Sequence, residues 1–211
     1  MKSENLPPTL ETLRLIMRPV QMSDAPRYQS IFADYQVIEL LDGNVIPWPY
    51  PENGVVEFLN FILPKMEAGE TIVWAIVPKG TDEMIGVLHL NPHSESDHRG
   101  FWLGRDYWGH GYMSEAVAAS QDYCFDVLGL PRLLLSNAEP NAGSARLKER
   151  SGAKFLWFQD DKYYAGGGTY RSMKWELTAE AWREHRAKFF EGKWPKDGKN
   201  STSCPLVGQC V

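Results

Sequence analysis

Residues 108–116 of the chain are Trp108-Gly109-His110-Gly111-Tyr112-Met113-Ser114-Glu115-Ala116. The apolar run at 100–104 before this stretch predicts a strand, and the segment from Tyr112 to Leu128 after it predicts a helix. A Gly-x-Gly turn between a strand and a helix leaves backbone N–H groups bare, and the helix N-terminus adds partial positive charge. Such a turn binds phosphate or pyrophosphate, so we expect a phosphorylated ligand here. A tight turn without a ligand is the alternative.

Two common nucleotide-binding loops differ from this turn. A P-loop has a Lys directly after its last Gly, but Tyr112 follows Gly111 here. The dinucleotide-binding fingerprint has a third Gly three positions further on, where this chain has Ser114. Neither loop therefore accounts for the pattern.

A second sequence pattern lies downstream and helps to identify the kind of phosphorylated ligand. Its first part is Asn141-Ala142-Gly143-Ser144-Ala145-Arg146-Leu147, and Gly152-Ala153-Lys154-Phe155 follows shortly after. This order predicts a strand end, a short helix that ends at Gly152, and another strand. Between the two patterns lies the segment Phe125-Asp126-Val127-Leu128-Gly129-Leu130-Pro131-Arg132-Leu133.

In this order and spacing, these stretches resemble the GNAT superfamily of acyl-CoA N-acyltransferases, and most of all its ribosomal-protein N-acetyltransferase (Rim-type) branch. The resemblance covers roughly Leu10 to Trp182. It implies an α/β (α+β) domain with a GNAT-like fold. The central sheet would be mixed and mainly antiparallel, flanked by helices, and splayed between His98–Gly104 and Arg132–Ala138.

The same resemblance implies that acetyl-CoA lies in this gap as co-substrate. The glycine turn would hold its pyrophosphate, the strand before the turn would pair with its pantetheine arm, and Asn141 and Ser144 would lie near the thioester. We expect His110 to point to solvent rather than take part in the chemistry. The residues expected to contact acetyl-CoA are Trp102, Leu103, Gly104, Trp108, Gly109, His110, Gly111, Tyr112, Met113, Ser114, Asn141 and Ser144.

Acetyl transfer from a thioester to an amine needs a neutral amine, a stabilised oxyanion and a proton for the departing thiolate. For the thiolate, Ser144 is the candidate, since Rim-type members resemble this chain in having a serine there. Many GNAT members instead place a tyrosine one residue after the leucine of this segment, and here that residue is Lys148. The alternative is that Ser144 only supports the start of the helix.

Two residues are candidates for the general base. Relatives often place a glutamate early on the strand before the glycine turn, and His98 occupies that place in this chain. A neutral imidazole accepts a proton near pH 7; the alternative for His98 is a solvent-exposed hairpin histidine. The second candidate is Glu139 at the end of the next strand, or else a surface carboxylate before Pro140. Rim-type enzymes often have a further glutamate after the helix, but residues 155–157 contain none.

The acceptor side is predicted between residues 41 and 51, where three prolines stiffen the chain. Trp48 and Tyr50 offer flat apolar walls, and Glu39 and Asp42 could attract a cationic amine. The alternative is a packing loop between two helices with ordinary surface acids. Deprotonation at pH 7 costs about 1.4 kcal/mol for an α-amine and about 4.6 kcal/mol for a lysine, which favours a protein N-terminus or another low-pKa amine.

Hydrophobic periodicity and turn residues predict alternating strands and helices. The predicted strands are Glu11–Arg18, Thr71–Pro78, Met84–Pro92, His98–Gly104, Arg132–Ala138, Lys154–Gln159 and Tyr170–Leu177. The predicted helices are Ser23–Tyr35, Gly54–Ala68, Tyr112–Leu128, the segment before Gly152, and Ala179–Phe190 after the capping residue Thr178.

Length and composition set the remaining expectations. We expect one domain over residues 1–190 and a disordered tail over 191–211. A net charge of −5 argues against nucleic-acid binding. The sequence shows neither a membrane span nor a signal peptide, so we expect a cytoplasmic monomer or homodimer.

The histidines and cysteines suggest no further chemistry. His89, His93 and His98 lie close together, but without supporting ligands we expect no metal site. Cys124 is expected to be a buried free thiol, and Cys204 and Cys210 lie in the polar tail, where a disulfide between them is the alternative to free thiols.

Two functions from different classes therefore remain. The first is an acetyl-CoA-dependent N-acetyltransferase that acts by direct attack in a ternary complex. Its acceptor would be a protein N-terminal α-amine or, alternatively, a small-molecule amine. The second is an acyl-CoA-binding module without turnover, which the missing tyrosine and glutamate would allow.

Overall fold

The computed structural model describes residues 6–190. The strands are β1 (Leu10–Glu11), β2 (Leu15–Pro19), β3 (Ile72–Pro78), β4 (Gly86–Leu90), β5 (Arg99–Leu103), β6 (Arg132–Ala138), β7 (Lys154–Tyr163) and β8 (Thr169–Thr178). The helices are α1 (Ala25–Phe32), α2 (Tyr35–Ile38), α3 (Gly54–Glu67), α4 (Tyr112–Asp122), α5 (Ala142–Arg150) and α6 (Ala179–Phe189). Short 3-10 turns cover Met22–Asp24 and Arg105–Tyr107, and a π-helical turn covers Tyr123–Val127.

The strands form two antiparallel sheets. One sheet has the order β1-β2-β3-β4-β5 and the other has the order β6-β8-β7. Strand β3 is central to the first sheet and is buried along nearly its whole length. Its side chains alternate between the two faces, as the period of two in a strand requires. Trp74 and Ile76 join one hydrophobic cluster with α4 and α6, while Val73 and Ala75 join another with α1 and α3.

The two sheets are joined where His98, the residue before β5, meets β6. The backbone N–H of His98 donates to the carbonyl of Leu134 at 2.8 Å, and the Leu134 N–H donates to Nδ1 of His98 at 2.9 Å. Beyond this join the strands belong to separate sheets, so β5 has β4 on one edge and a gap on the other. The prediction of a mainly antiparallel sheet, splayed between these two strands and flanked by helices, is confirmed.

Several elements are more broken than the sequence pattern predicts. The first predicted strand is a hairpin, because a turn in which Thr12 N–H donates to the Leu15 carbonyl at 3.0 Å separates β1 from β2. The helix predicted to run to Tyr35 stops at Phe32. Asp34 then caps α2 by accepting the N–H of Gln36 at 2.9 Å. A local side-chain hydrogen bond of this kind competes with continuation of the helix.

Two other boundaries differ. The helix predicted to reach Leu128 is α-helical only to Asp122 and continues as the π-helical turn. Strand β7 extends to Tyr163 rather than Gln159, with register shifts against β8 that accommodate the extra residues. The extension of β7 depends on its pairing with β8, which a local pattern does not contain.

Residues 6–190 can also be compared with the expectations about metal sites, membrane spans and cysteines. Within residues 6–190, no group of three or more His, Cys, Asp or Glu side chains could hold a metal ion. No helix in that range is long and apolar enough to cross a bilayer. Cys124 is a buried free thiol, as predicted, and burial raises its pKa to about 12. The predicted tail at 191–211, with Cys204 and Cys210, lies outside the described residues.

Candidate active site

A cleft of about 870 Å³ opens at the gap between the two sheets. Its walls are formed by α2 and the residues after it, by the end of β5, by the glycine turn with the start of α4, and by α5. The predicted residues that line it are Glu39, Trp102, Leu103, Trp108, Gly109, Gly111, Tyr112, Met113, Ser114, Asn141 and Ser144. The structure thus brings together residues from four segments of the chain.

The glycine turn has the geometry of an anion cradle. Gly109 and Gly111 have φ angles of 78° and 79°, a region that other residues adopt only at a cost. A Cβ at Gly109 would meet no protein atom within 4 Å, so the space over this residue is open. Among residues 6–190, no side chain caps the N-terminus of α4. Its first-turn N–H groups are therefore suited to a diphosphate, and the residues present fit the pyrophosphate of acetyl-CoA.

Glu115 anchors this turn to the β1–β2 hairpin. Glu115 is 3% exposed. Its carboxylate accepts hydrogen bonds from the Thr12 hydroxyl at 2.5 Å, from the Arg14 backbone N–H at 2.7 Å and from the Arg14 guanidinium at 2.7 Å. Arg14 also donates to the carbonyl of His110 at 3.0 Å. Sequence reasoning missed this anchor, because its partners are about a hundred positions apart. An acidic residue in the first helical turn was the only local sign of it.

Three further cofactor predictions have specific structural outcomes. Trp108 lines the cleft, and its indole N–H donates to the carbonyl of Leu103 at 2.8 Å, which ties the turn to β5. Gly104 does not line the cleft, since its N–H pairs with Ile85 at 2.9 Å inside the first sheet. His110 is exposed and stacks on Tyr112 with ring centroids 6.0 Å apart, also away from the cleft wall. The structure therefore agrees with His110 pointing to solvent.

Asn141 and Ser144 begin α5 at the cleft wall. The Asn141 side chain accepts the Ser144 N–H at 3.0 Å and so caps the helix. The Ser144 hydroxyl accepts a hydrogen bond from Nζ of Lys148 at 2.7 Å. Lys148 is only 2% exposed, and burial lowers its pKa to about 7. The sequence singled out Lys148 only as the residue that replaces a tyrosine.

Arg146 and Arg150 also line the cleft, from the same helix. Both were missed, although their spacing of four residues places them on one helical face. Together with the N-terminus of α4 they make this part of the cleft cationic. Such a surface suits the phosphates of coenzyme A.

The structure places His98 at the join between the sheets and not on the cleft wall. The side chain is 7% exposed, so it is not the solvent-exposed hairpin histidine that was the alternative. Its Nδ1 accepts the N–H of Leu134, which leaves the proton of a neutral imidazole on Nε2. A nitrogen that already accepts a hydrogen bond is not free to take a proton from an amine. The assignment of His98 as base stays a prediction.

Glu139 lies outside the cleft wall as well. It is exposed and forms a bidentate pair with Arg171, with N–O distances of 2.6 and 3.0 Å. The hydrogen bond from Arg171 lowers the pKa of Glu139, which makes the carboxylate a weaker base. Its assignment as base likewise stays a prediction.

The predicted acceptor residues divide into two groups. Glu39 lines the cleft, and it is the one acidic side chain among the described residues that does so. Trp48 and Tyr50 do not line it. Trp48 packs edge-on against Tyr35 at 5.2 Å, and Tyr50 packs against Phe32 at 4.9 Å. The structure thus shows packing contacts for the two aromatic residues, while their role as walls for the substrate stays a prediction.

The segment after α2 is tied to the turn between β7 and β8. Asp42 forms an ion pair with Lys162 at 2.7 Å. Burial raises the pKa of Asp42, but Lys162 and the hydrogen bonds from Asn44 together outweigh burial and lower it. Ala165 N–H donates to the Leu41 carbonyl at 3.0 Å, and Gly166 N–H donates to the Glu39 carbonyl at 2.9 Å. These bonds hold the backbone that carries the Glu39 side chain.

Comparison with known proteins agrees with this geometry. The family model of the acetyltransferase (GNAT) domain matches residues 14–154. The uncharacterized N-acetyltransferase p20 of Bacillus licheniformis is 30% identical over 144 residues, which cover 66% of this chain and 78% of p20. This relative and the family model both place the chain among N-acetyltransferases.

Two solved structures share the fold. RimJ of Mycobacterium smegmatis, in complex with CoA-disulfide, has a TM-score of 0.74 at 21% identity and covers 87% of this chain and 93% of its own. RimL, a ribosomal alpha-N-protein acetyltransferase in complex with coenzyme A, has a TM-score of 0.69 at 18% identity. The match covers 82% of this chain and 99% of the RimL chain. The glycine turn, the splayed sheets and the family match lead to one conclusion. The chain belongs to the GNAT acetyltransferase family, whose enzymes take the acetyl group from acetyl-CoA.

Proposed function

We propose that this acetyltransferase acts on the α-amine of a protein N-terminus, by direct attack of the amine on acetyl-CoA in a ternary complex. The observation that carries the proposal is the separation of charge along one cleft. The cations Arg146 and Arg150 lie on α5, and the carboxylate of Glu39 lies on a different wall. An anionic cofactor and a cationic amine would therefore be attracted to different ends of the cleft.

The chemistry of the cleft favours an amine of low pKa. Neither of the predicted bases lines it, and Glu39 is the one carboxylate among the described lining residues. Deprotonating an α-amine at pH 7 costs about 1.4 kcal/mol, whereas a lysine costs about 4.6 kcal/mol. The lower cost means that an α-amine depends less than a lysine on a dedicated base in the cleft. The similarity in fold to RimJ and RimL, the latter an alpha-N-protein acetyltransferase, supports the same class of acceptor.

The proposed reaction uses three features of the cleft. The amine nitrogen forms a bond to the acetyl carbonyl carbon and releases one proton to water. Backbone N–H groups on the free edge of β5 stabilise the charge that develops on the carbonyl oxygen. The carbon–sulfur bond then breaks, and the Ser144 hydroxyl, which lines the cleft, protonates the thiolate of coenzyme A.

The acceptor class is tested with matched peptides. One series carries a free α-amine and no lysine; the other has an acetylated N-terminus and one internal lysine; spermidine represents small-molecule amines. CoA release and the product mass are measured with acetyl-CoA at pH 7. We expect turnover on the first series at least tenfold above the second. Preference for lysine or for spermidine would overturn the proposed acceptor, while leaving the acetyltransferase activity intact.

A further inference from the structure

Ser144 and Lys148 form a hydrogen-bonded pair on α5. The two residues are four positions apart, so they lie on the same face of the helix. Nζ of Lys148 donates to Oγ of Ser144 at 2.7 Å. Ser144 lines the cleft, whereas Lys148 does not and is buried behind it. The lysine can therefore reach the acetyl group only through the serine hydroxyl.

Lys148 has little to stabilise its positive charge. An ammonium group has three N–H donors, and within the described residues Ser144 is the one hydrogen-bond partner of Nζ. No salt bridge to Lys148 occurs in that part of the chain either. Burying a charged group without a full set of hydrogen bonds is costly. Burial therefore favours the neutral amine of Lys148 over its ammonium form.

The charged neighbours of Lys148 come from β5 and the loop before it. Arg99 is buried on β5 and lowers the pKa of Lys148 further, after the larger effect of burial. Asp97 acts in the opposite direction, and its carboxylate accepts the hydroxyl of Ser136. Arg99 itself donates to Gln121 at 2.9 Å, while its Nε and Nη2 lack a partner among the described residues. The resulting pKa of about 7 means that both protonation states of Lys148 are populated at neutral pH.

We propose that Lys148 is a positioning residue that keeps a proton available on the Ser144 hydroxyl for the departing thiolate of coenzyme A. As the carbon–sulfur bond breaks, Ser144 Oγ–H gives its proton to sulfur and takes one from Lys148 Nζ. Lys148 is left neutral and regains a proton from water after product release. This inference rests on the part that the proposed function gives to Ser144, but not on the identity of the amine.

The sign of the pH dependence follows from this scheme. The proton donor is the ammonium form of Lys148, which is present below its pKa and lost above it. When the rate is expressed per neutral acceptor, the rate of acetyl transfer should therefore fall as the pH rises through about 7. This fall is the descending limb of the pH–rate profile. A lysine that only packs against the helix would produce no descending limb.

The experiment is single-turnover acetyl transfer to hydroxylamine between pH 6 and 9, with the uncatalysed rate subtracted. Hydroxylamine is a small amine that is neutral over most of this range, so recognition of the natural acceptor is not required. We expect the descending limb in the unaltered enzyme. Lys148→Met should lose the descending limb and react at least tenfold more slowly than the unaltered enzyme at pH 6.5. Lys148→Arg stays charged, so it should also lose the limb but react faster than Lys148→Met.

Controls separate this role from a structural one. Lys154→Met alters an exposed lysine on β7 and should keep both rate and profile. Ser144→Ala should lose the limb in the same way as Lys148→Met, which provides a second test if the latter does not fold. In enzyme with uniformly ¹³C-labelled lysine, a signal absent from Lys148→Met should titrate near pH 7 without any acceptor.

Three results would overturn the proposal. The first is an unchanged descending limb in Lys148→Met or Ser144→Ala. The second is a Lys148 signal that titrates in the ordinary range of lysine, near 10.4. The third is an acetyl adduct on Ser144 after mixing with acetyl-CoA, since the hydroxyl would then be a nucleophile. Failure of the peptide series with normal turnover of hydroxylamine would refute only the proposed acceptor.

Discussion

His98 and Leu134 exchange two hydrogen bonds that join the two sheets at the base of the cleft. The His98 N–H donates to the Leu134 carbonyl at 2.8 Å, and the Leu134 N–H donates to His98 Nδ1 at 2.9 Å. A side-chain nitrogen thus replaces the carbonyl that would continue a strand ladder. The pair ends the contact between β5 and β6, and the cleft begins where the strands part.

Replacing His98 tests whether it holds this join or acts as the base. His98→Ala leaves the partly buried N–H of Leu134 without its acceptor, which should lower the free energy of unfolding by about 1 kcal/mol. His98→Asn can offer an amide oxygen and should recover part of the loss. Urea unfolding measures the stability, and transfer to hydroxylamine measures activity. A large loss of rate in His98→Asn at unchanged stability and CoA affinity would instead support the role of base.

Replacing Gly109 tests the anion cradle. Gly109→Val adds a side chain where the protein leaves open space, so CoA should lose at least tenfold in affinity, or about 1.4 kcal/mol. The matched control is Gly80→Val, because Gly80 has a φ of +85° and also has nothing within 4 Å of an added Cβ. Both variants should lose similar stability from the positive φ. Isothermal titration with CoA decides the outcome, and equal affinities for the two variants would refute the cradle.

Replacing Glu115 tests the anchor of the glycine turn. Glu115→Gln removes the buried carboxylate that pairs with the partly exposed Arg14, and should lower the free energy of unfolding by about 1.5–3 kcal/mol. CoA affinity should fall too, because Arg14 would no longer be held under the turn. Glu176→Gln is the control: its pair with Arg132 is partly exposed, so the expected loss is below about 1 kcal/mol. Equal losses in the two variants, measured by urea unfolding, would show that Glu115 is not a structural anchor.

Replacing Glu39 tests the acceptor side. Glu39→Gln removes the acidic group that lines the cleft, so the KM for a peptide with a free α-amine should rise about tenfold. The affinity for CoA should not change, since the arginines lie on α5. Glu70→Gln alters an exposed acid away from the cleft and serves as the matched control. Equal KM values for the two variants would remove Glu39 from acceptor binding.

The pKa of Lys148 also predicts how stability depends on pH. Its pKa is about 7 in the folded protein, against about 10.4 in an unfolded chain. Between these values the unfolded state binds more protons, so the lysine makes the free energy of unfolding rise with pH by up to about 1.4 kcal/mol per unit. Urea unfolding at pH 7 to 10 should show a flatter profile for Lys148→Met than for the unaltered enzyme. Parallel profiles would mean that Lys148 keeps an ordinary pKa when folded.

Local features of the sequence account for much of the fold. Thr178 caps α6 by accepting the N–H of Ala181 at 3.2 Å, and Gly152 ends α5 with a φ of +84°, both as predicted. Strand β3 lies within one residue of its predicted start and at its predicted end. Such features depend on neighbours a few residues away, which the sequence displays directly. Helix breaks and strand extensions were predicted less well, because pairing across the molecule decides them.

In the candidate site too, local features could be predicted from the sequence, whereas contacts between distant residues could not. The sequence predicted the Gly-x-Gly turn, and its resemblance to the family implied the splayed sheet and the positions of Asn141 and Ser144 near the thioester. Only the tertiary structure placed His98 at the join, brought Glu115 onto Arg14 and buried Lys148 behind Ser144. The physical reason is that spacing along one helix or strand is a local property. Burial, ion pairing and the resulting pKa values depend on residues that are distant in sequence and meet only when the chain folds.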